Sequence, residues 1–181
     1  SITVATANVG GALSLDADVG NATLGTGTVT GTSLIKATGD ASVGSLTSGG
    51  PSTLTAGGLA SATTLLKTTG AAGNILVSGA TVQLAKVESA AGLTSTASGG
   101  NLTVNEGTSV GAVSLKTTGT GASAGDVIIG TTLSSGGTTM IDSTRDATLA
   151  STTSAGAVTV TAVGATMASL LKSNAAITAT S

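Results

Sequence analysis

"TLLKTTGAAGN", residues 64–74, opens like an amphipathic helix, with two leucines and a lysine, and then runs into a glycine-broken tail. Nearly the same line stands at 33–43 as "SLIKATGDASV", at 114–124 as "SLKTTGTGASA" and at 169–176 as "SLLKSNAA". A helix is a poor reading of it. Thr-Thr-Gly followed by Gly-x-x-Gly disfavours helix, and no apolar stripe of period 3.6 continues the pattern. Alternation of period 2 fits better, and it points Leu66 inward and Lys67 outward.

Aligning the glycine-led phrases extends this reading to the whole chain. "GALSLDA" begins at 11, "GTSLIKA" at 31, "GPSTLTA" at 50, "ATTLLKT" at 62, "TVQLAKV" at 81, "GNLTVNE" at 100, "GAVSLKT" at 111, "GTTMIDS" at 137, "GAVTVTA" at 156 and "MASLLKS" at 167. Steps such as 11 to 31, 31 to 50 and 81 to 100 are 20 or 19 residues, and others are about half that. The third and fifth positions of most phrases are apolar, as in Leu13 and Leu15, Val113 and Leu115, or Val158 and Val160. The pattern predicts a coil of about 19–20 residues with two strong strand phrases and a weaker third. Five-residue strands with one apolar face are not stable alone, so the coils must stack.

The expected fold is therefore all-β: a right-handed parallel β-helix, or β-solenoid, of about nine coils, occupying residues 1–181 as a single segment. At about 4.8 Å per coil, such a rod is about 43 Å long. Glycines at phrase boundaries are expected to supply positive φ angles at the corners, and Pro51 sits at one such boundary. The step from 111 to 137 is 26, which places a loop at 118–125.

Composition agrees with a thin core. The chain is 40% hydrophobic and contains 28 glycines, but has no Phe, Tyr, Trp, Cys or His. Only 8% of residues are charged, with a net charge of −2. One proline and this low charge argue against disorder. Slight acidity without a basic patch argues against nucleic acid as a partner, and no apolar run is long enough for membrane insertion. Ser1 opens directly on the strand-like "SITVATA" with no signal peptide, so the chain reads as an internal piece of a longer repeat protein.

The recurrent G-x-L-x-L-x-A phrase, followed by G-x-L/V on a period of about 19–20 in an Ala/Gly/Thr/Ser-rich chain, resembles the repeats of filamentous haemagglutinin-like adhesins. These are the large exoproteins of bacterial two-partner secretion. Glycine-rich autotransporter passengers give a similar pattern. The resemblance implies a virulence-associated role in cell adhesion, at the bacterial cell surface or as a secreted, extracellular protein. It also implies an outer-membrane transporter as partner during export, acting on parts of a parent chain not present here, and a host-cell receptor or glycan as the adhesive target. The family's secretion-domain motifs, an Arg-Gly-Asp tripeptide and a basic heparin-like run do not occur in these residues.

Little chemistry can be built from the side chains. The ionisable inventory is Asp16, Asp18, Asp40, Glu88, Glu106, Asp126, Asp142, Asp146, Arg145 and five lysines. The densest group, "DSTRD" at 142–146, raises Asp142, Arg145 and Asp146 as an acid/base set on a polysaccharide-active β-helix. Without aromatic platforms to grip a sugar, a solvated corner holding a local ion pair is the better expectation, and no catalytic residue is assigned. Asp16 and Asp18 in "LDADVGN" match only the start of an EF-hand loop, so no metal or cofactor is expected. Lys36, Lys67, Lys86, Lys116 and Lys172 are expected at one phrase position, each outward after an inward apolar residue, with Ala85 serving for Lys86. They read as isolated charges that keep the rod soluble and discourage sheet-to-sheet association. The alternative to a structural shaft is a carbohydrate- or surface-binding module using the Thr/Ser-rich faces or the 118–125 loop.

Overall fold

The computed structural model describes all 181 residues and is a parallel β-solenoid of nine coils. Each coil carries one long and one short strand. In chain order they are β1 (Ile2–Val9), β2 (Leu13–Ala17), β3 (Ala22–Val29), β4 (Ser33–Ala37), β5 (Ala41–Ser48), β6 (Ser52–Ala56), β7 (Leu59–Thr68), β8 (Ile75–Gly79) and β9 (Thr81–Ser89). The chain continues through β10 (Leu93–Ala97), β11 (Leu102–Ser109), β12 (Val113–Thr117), β13 (Val127–Ser135), β14 (Thr139–Ser143), β15 (Ala147–Ser154), β16 (Val158–Ala162), β17 (Thr166–Ser173) and β18 (Ile177–Thr180). The odd-numbered strands form one nine-stranded parallel sheet and the even-numbered strands another. A 3-10 turn at Gly121–Ser123 is the only helical element.

The weaker third phrase is the second half of the long strand. In β3 the buried positions are 22, 24, 27 and 29, so Gly25 and Thr26 face outward in succession. Alternation breaks once and then resumes, which bends one strand across two faces. The opening phrase at 64–74 belongs to this long strand: Leu66 is fully buried and Lys67 faces out at the end of β7. The chain then turns through Gly70–Gly73, where the Gly73 N–H donates to the Gly70 carbonyl at 2.7 Å.

The four similar phrases do not occupy one position. Lys36 and Lys116 lie on the short-strand sheet, whereas Lys67, Lys86 and Lys172 lie on the long-strand sheet. Both strand types end in apolar-x-apolar-polar stretches, so the text of a phrase does not reveal which sheet it joins. Ala85 also differs from expectation. It is one of two successive outward residues at the bend of β9, and Leu84 supplies the inward side chain.

Inward side chains stack as columns along the rod. One runs Leu24, Val43, Ala62, Leu84, Val104, Ile129 and Leu149 on the long strands. Another runs Leu15, Ile35, Leu54 and Val77 on the short strands. Together the columns form a single core cluster of 35 buried residues. With neighbouring strands about 4.8 Å apart, each side chain lies directly over its counterpart, and β-branched and aliphatic groups fit where stacked rings would crowd.

One inward column is polar. The last residue of the long strand is valine in the first two coils, Val9 and Val29, and hydroxyl-bearing in the other seven: Ser48, Thr68, Ser89, Ser109, Ser135, Ser154 and Ser173. Each hydroxyl reaches a corner carbonyl. Ser48 donates to Gly31 at 2.8 Å, Ser109 to Ala91 at 2.7 Å, Ser154 to Gly137 at 2.6 Å and Ser173 to Gly156 at 2.8 Å. These four carbonyls belong to the preceding coil, so each of these hydroxyls ties one corner to the next; Thr68 instead donates to the Gly73 carbonyl of its own coil and accepts the Ala90 N–H of the next at 3.1 Å. The Gly31 carbonyl accepts the Gly50 N–H at 2.8 Å as well, and so uses both lone pairs.

The corner glycines serve mainly to let backbones approach. Only Gly20 (φ 88°) and Gly121 (φ 58°) have positive φ, which corrects the expectation that corner glycines supply left-handed angles. At Gly156 a Cβ would lie 2.9 Å from the Gly137 carbonyl atoms and from the Thr138 nitrogen, closer than packed atoms allow. Gly11 holds the same corner position in the first coil, and nothing lies within 4 Å of its hypothetical Cβ. Gly156→Ala is therefore expected to reduce stability by about 1–3 kcal/mol, while Gly11→Ala leaves the thermal midpoint unchanged. Thermal unfolding followed by circular dichroism compares them; equal midpoints would show that corner stacking is not limiting.

Thr152 gives a prediction of opposite sign. It stacks between Leu133 and Leu171, is fully buried, and its hydroxyl has no partner. Thr152→Val replaces an unpaired buried hydroxyl with a methyl of similar size and should raise stability by about 1 kcal/mol, or about 2–4 °C in midpoint. An unchanged or lowered midpoint would show that the hydroxyl is satisfied in solution.

Candidate functional site

The "DSTRD" group is not one site. Asp142, at the end of β14, pairs with Lys116 at 3.0 Å on the short-strand sheet. Arg145 turns to Asp126 instead, with Nε donating to Oδ1 and Nη2 to Oδ2, both at 2.6 Å. Asp146 accepts the N–H of Ala165 at 2.7 Å. The three side chains are held by different coils and do not converge on a common point.

Asp126 and Asp146 belong to a corner ladder that caps the start of the long strands. Asn21 Oδ1 accepts the Asp40 N–H at 2.9 Å, and Asp40 Oδ1 accepts the Leu59 N–H at 2.8 Å. After a break, Asn101 accepts from Asp126 at 2.9 Å and Asp126 from Asp146 at 3.1 Å. Each side-chain oxygen thus satisfies a backbone donor of the next coil, a structural use of acid and amide alike. The Arg145 guanidinium, with help from the Asp146 N–H, holds the Asp126 carboxyl below the usual carboxylate range against the opposing effect of burial.

The lysines are paired with acids one coil away, with Lys172 the exception. Lys36 meets Asp16 at 3.2 Å, and Asp16 and Lys36 are register partners on the short-strand sheet. On the long-strand sheet Lys67 meets Glu88 at 2.7 Å, Lys86 meets Glu88 at 3.3 Å, and Lys86 meets Glu106 at 2.9 Å. These four charges form one chain across three coils with no net charge. The expected isolated charges are in fact mostly cross-strand pairs, the arrangement that parallel stacking favours when opposite signs fall at register-paired positions of adjacent coils.

The loop at 118–125 leaves the rod between β12 and β13, as the spacing predicts. Its tip is exposed, and its return is pinned at Gly125. The Gly125 carbonyl accepts the Thr117 and Ser143 hydroxyls, each at 3.0 Å, and its N–H donates to Thr144 Oγ1 at 3.0 Å. Thr117 and Ser143 replace the alanines that hold this inward position in other short strands, such as Ala37 and Ala97.

Two irregularities of the long-strand sheet are absent from the sequence expectations. Between Ala62 and Leu66 β7 has three residues, where β9 has two between Leu84 and Val87. A second bulge in β13 sets three residues between Ile129 and Leu133 against two in β15 between Leu149 and Thr152. A shallow depression adjoins each bulge. The first is lined by Ser61, Ala62, Thr63, Gln83, Leu84, Ala85, Thr103 and Asn105, and the second by residues of β13, β15 and β17 including Ile128, Gly130 and Met167. No group of three acid side chains gathers anywhere on the chain, and no helix is long and apolar enough to cross a membrane.

No protein-family model, no curated protein and no solved structure matches this chain. The reading of function therefore rests on the rod and its surface.

The charge chain gives a pH dependence with a definite sign. Lys67, assisted by Lys86, lowers the Glu88 carboxyl below its ordinary value. A lowered folded-state value contributes stability above the unfolded value, near 4.5 for Glu88, and that stability is lost as pH falls through the folded value. Asp126 behaves likewise from its ordinary value of 3.8. Lys86 is raised by Glu106 and then Glu88, so its share is present below 10.5 and lost only at more alkaline pH. The thermal midpoint should be flat through neutral pH and fall below about pH 4.5. In Glu88→Gln and Asp126→Asn the neutral midpoint should drop by a few degrees and the acid slope should flatten, since partly exposed pairs contribute about 1 kcal/mol or less. Parallel acid slopes in wild type and both variants would remove these carboxylates as the cause.

Proposed function

We propose that this chain is a shaft segment of a secreted or surface-exposed bacterial adhesin, a single stretch of a longer repeat protein that holds an adhesive region away from the cell for attachment to host cells or surfaces. The observation that carries the reading is the continuity of the rod: the ladder and the inward columns pass through all nine coils without a break. Stiffness along the axis is what such a structure provides, because each coil contacts only its neighbours and adding coils adds length without altering the cross-section. Paired surface charges and a small-residue core suit a chain exported unfolded and assembled coil by coil outside the cell. An outer-membrane transporter would act on other parts of the parent chain, and a host receptor or glycan would be met by the adhesive region.

The test is location together with reach. Antibodies raised against residues 1–181 should label intact producing cells without permeabilisation, and deleting two whole coils, residues 22–59, from the parent protein should shorten its projection by about 10 Å while leaving secretion intact. Labelling only after the cells are opened would overturn the proposal.

A further inference from the structure

The depression beside the β7 bulge has features that a shaft does not need. In the outward column that crosses it the chain has Thr23, Ser42 and Ser61 before Gln83, its only glutamine, and Thr103, Ile128, Thr148 and Met167 after it, so Gln83 is the one amide of the column. One position beyond the inward column, at the bend, the repeat has small residues such as Gly25, Gly44 and Ala85, whereas β11 has Asn105. Both amides are exposed, and neither side chain is hydrogen-bonded within the chain, so each offers a free carbonyl and a free NH2. The Asn105 side chain lies over Gly130, where a Cβ would strike its Oδ1, so the glycine in the β13 bulge leaves room for it.

We propose that this depression binds a neutral glycan, with Gln83 and Asn105 as the paired amides that take its hydroxyls and Thr63 and Thr103 as supporting hydroxyls. Three observations fix the ligand class. None of the eight lining residues is charged. The charges at its border, Lys86 and Glu106, follow Ala85 and Asn105 directly in sequence and neutralise each other at 2.9 Å, so an ionic ligand would have to break a formed pair. Amides with a donor and an acceptor side by side suit vicinal hydroxyls, which offer the same two functions. The site lies at a bulge, where an extra residue re-aims side chains out of the repeat pattern. Lacking an aromatic platform, the site should bind weakly, with dissociation constants on the order of millimolar. The proposal stands on this surface alone and holds whether or not the rod belongs to an adhesin.

The experiment is a titration of the isotopically labelled 181-residue chain with cellohexaose, maltohexaose and the hexamer of N-acetylglucosamine, followed by amide nuclear magnetic resonance. With at least one of them, shifts should centre on Gln83, Thr103 and Asn105, including both side-chain NH2 groups, and should persist at roughly 0.5 M salt. Gln83→Thr gives a hydroxyl residue like Ser61 and Thr103 on either side and Asn105→Ala matches Ala85, so both should fold, and each should weaken binding about threefold to tenfold. Absence of shifts at Gln83 and Asn105 with all three sugars would overturn the proposal. So would wild-type binding by Gln83→Thr, or a response confined to a heparin-derived hexasaccharide, centred on Lys67 and Lys86 and abolished by salt.

Discussion

Each coil rests on the backbone of the coil before it, and the rest of the structure follows from that contact. Parallel pairing sets neighbouring strands about 4.8 Å apart, so every residue meets its counterpart from the adjacent coil before it meets anything else. At the corners the spacing is tighter in effect, since a Cβ at Gly31 would lie 2.8 Å from the Gly11 carbonyl oxygen. Glycine is required there by its neighbour one turn away more than by its own φ angle. The same contact explains the absence of aromatic residues from the core: columns of aliphatic side chains stack along the rod, with a small residue such as Gly27 or Ala62 beside a larger one, whereas a ring would have to be accommodated by the side chains above and below it.

The contact also sorts polar groups by what the adjacent coil offers. Inside the rod, the long-strand terminal serines find corner carbonyls with a spare lone pair, as Ser154 does at Gly137. At the opposite corner, Asn21, Asp40, Asn101, Asp126 and Asp146 find backbone donors of the following coil. On the outer face, lysines find acids at the paired position of the neighbouring coil. Most of the charge and much of the hydroxyl content of this chain is therefore spent on holding coil to coil. A carboxylate here signals a corner or a cross-strand pair before it signals chemistry.

That physics decides what could be read from the sequence. The period, the strand alternation, the inward direction of Leu66 and the loop at 118–125 were legible because apolar spacing and repeat length report on them directly. The sheet to which a phrase belongs was not, because "SLIKA" in β4 and "LLKT" in β7 satisfy the same alternation on different sheets. Ser48 and its successors look like outward polar residues, and only the position of the corner carbonyl turns them inward. Arg145 pairs with Asp126 rather than with Asp142 or Asp146 because partners lie one coil away, 19 residues in this case, and not along the strand. The bulges left a trace in the alternation: "ATTLLKT" has one more residue between its inward positions than "VQLAKV" does, a difference visible only once both strands are in register.

In a structure built by repetition, the backbone distinguishes a point along its length where repetition fails, because regular coils present the same outward positions at the same spacing. The rod fails to repeat at the 118–125 loop and at the two bulges. The loop adds an exposed tip with one left-handed glycine and no ionisable group, held at its base by the Thr118 N–H on the Ala97 carbonyl and by Gly125. The bulges differ, since they disturb the strands while the core beneath stays closed, with Ala62 and Leu84 buried under the first and Ile129 and Leu149 under the second. They stand three coils apart, about 14 Å along the axis, and Asn105 leans from the first depression onto Gly130 at the second. A long, thin ligand lying parallel to the rod would meet both in sequence, and a rigid core beneath them would keep their spacing fixed. Rigidity and the proposed recognition are then not competing readings of this chain: the regular coils carry the length, and the irregular coil at β7 carries the glycan site proposed for it.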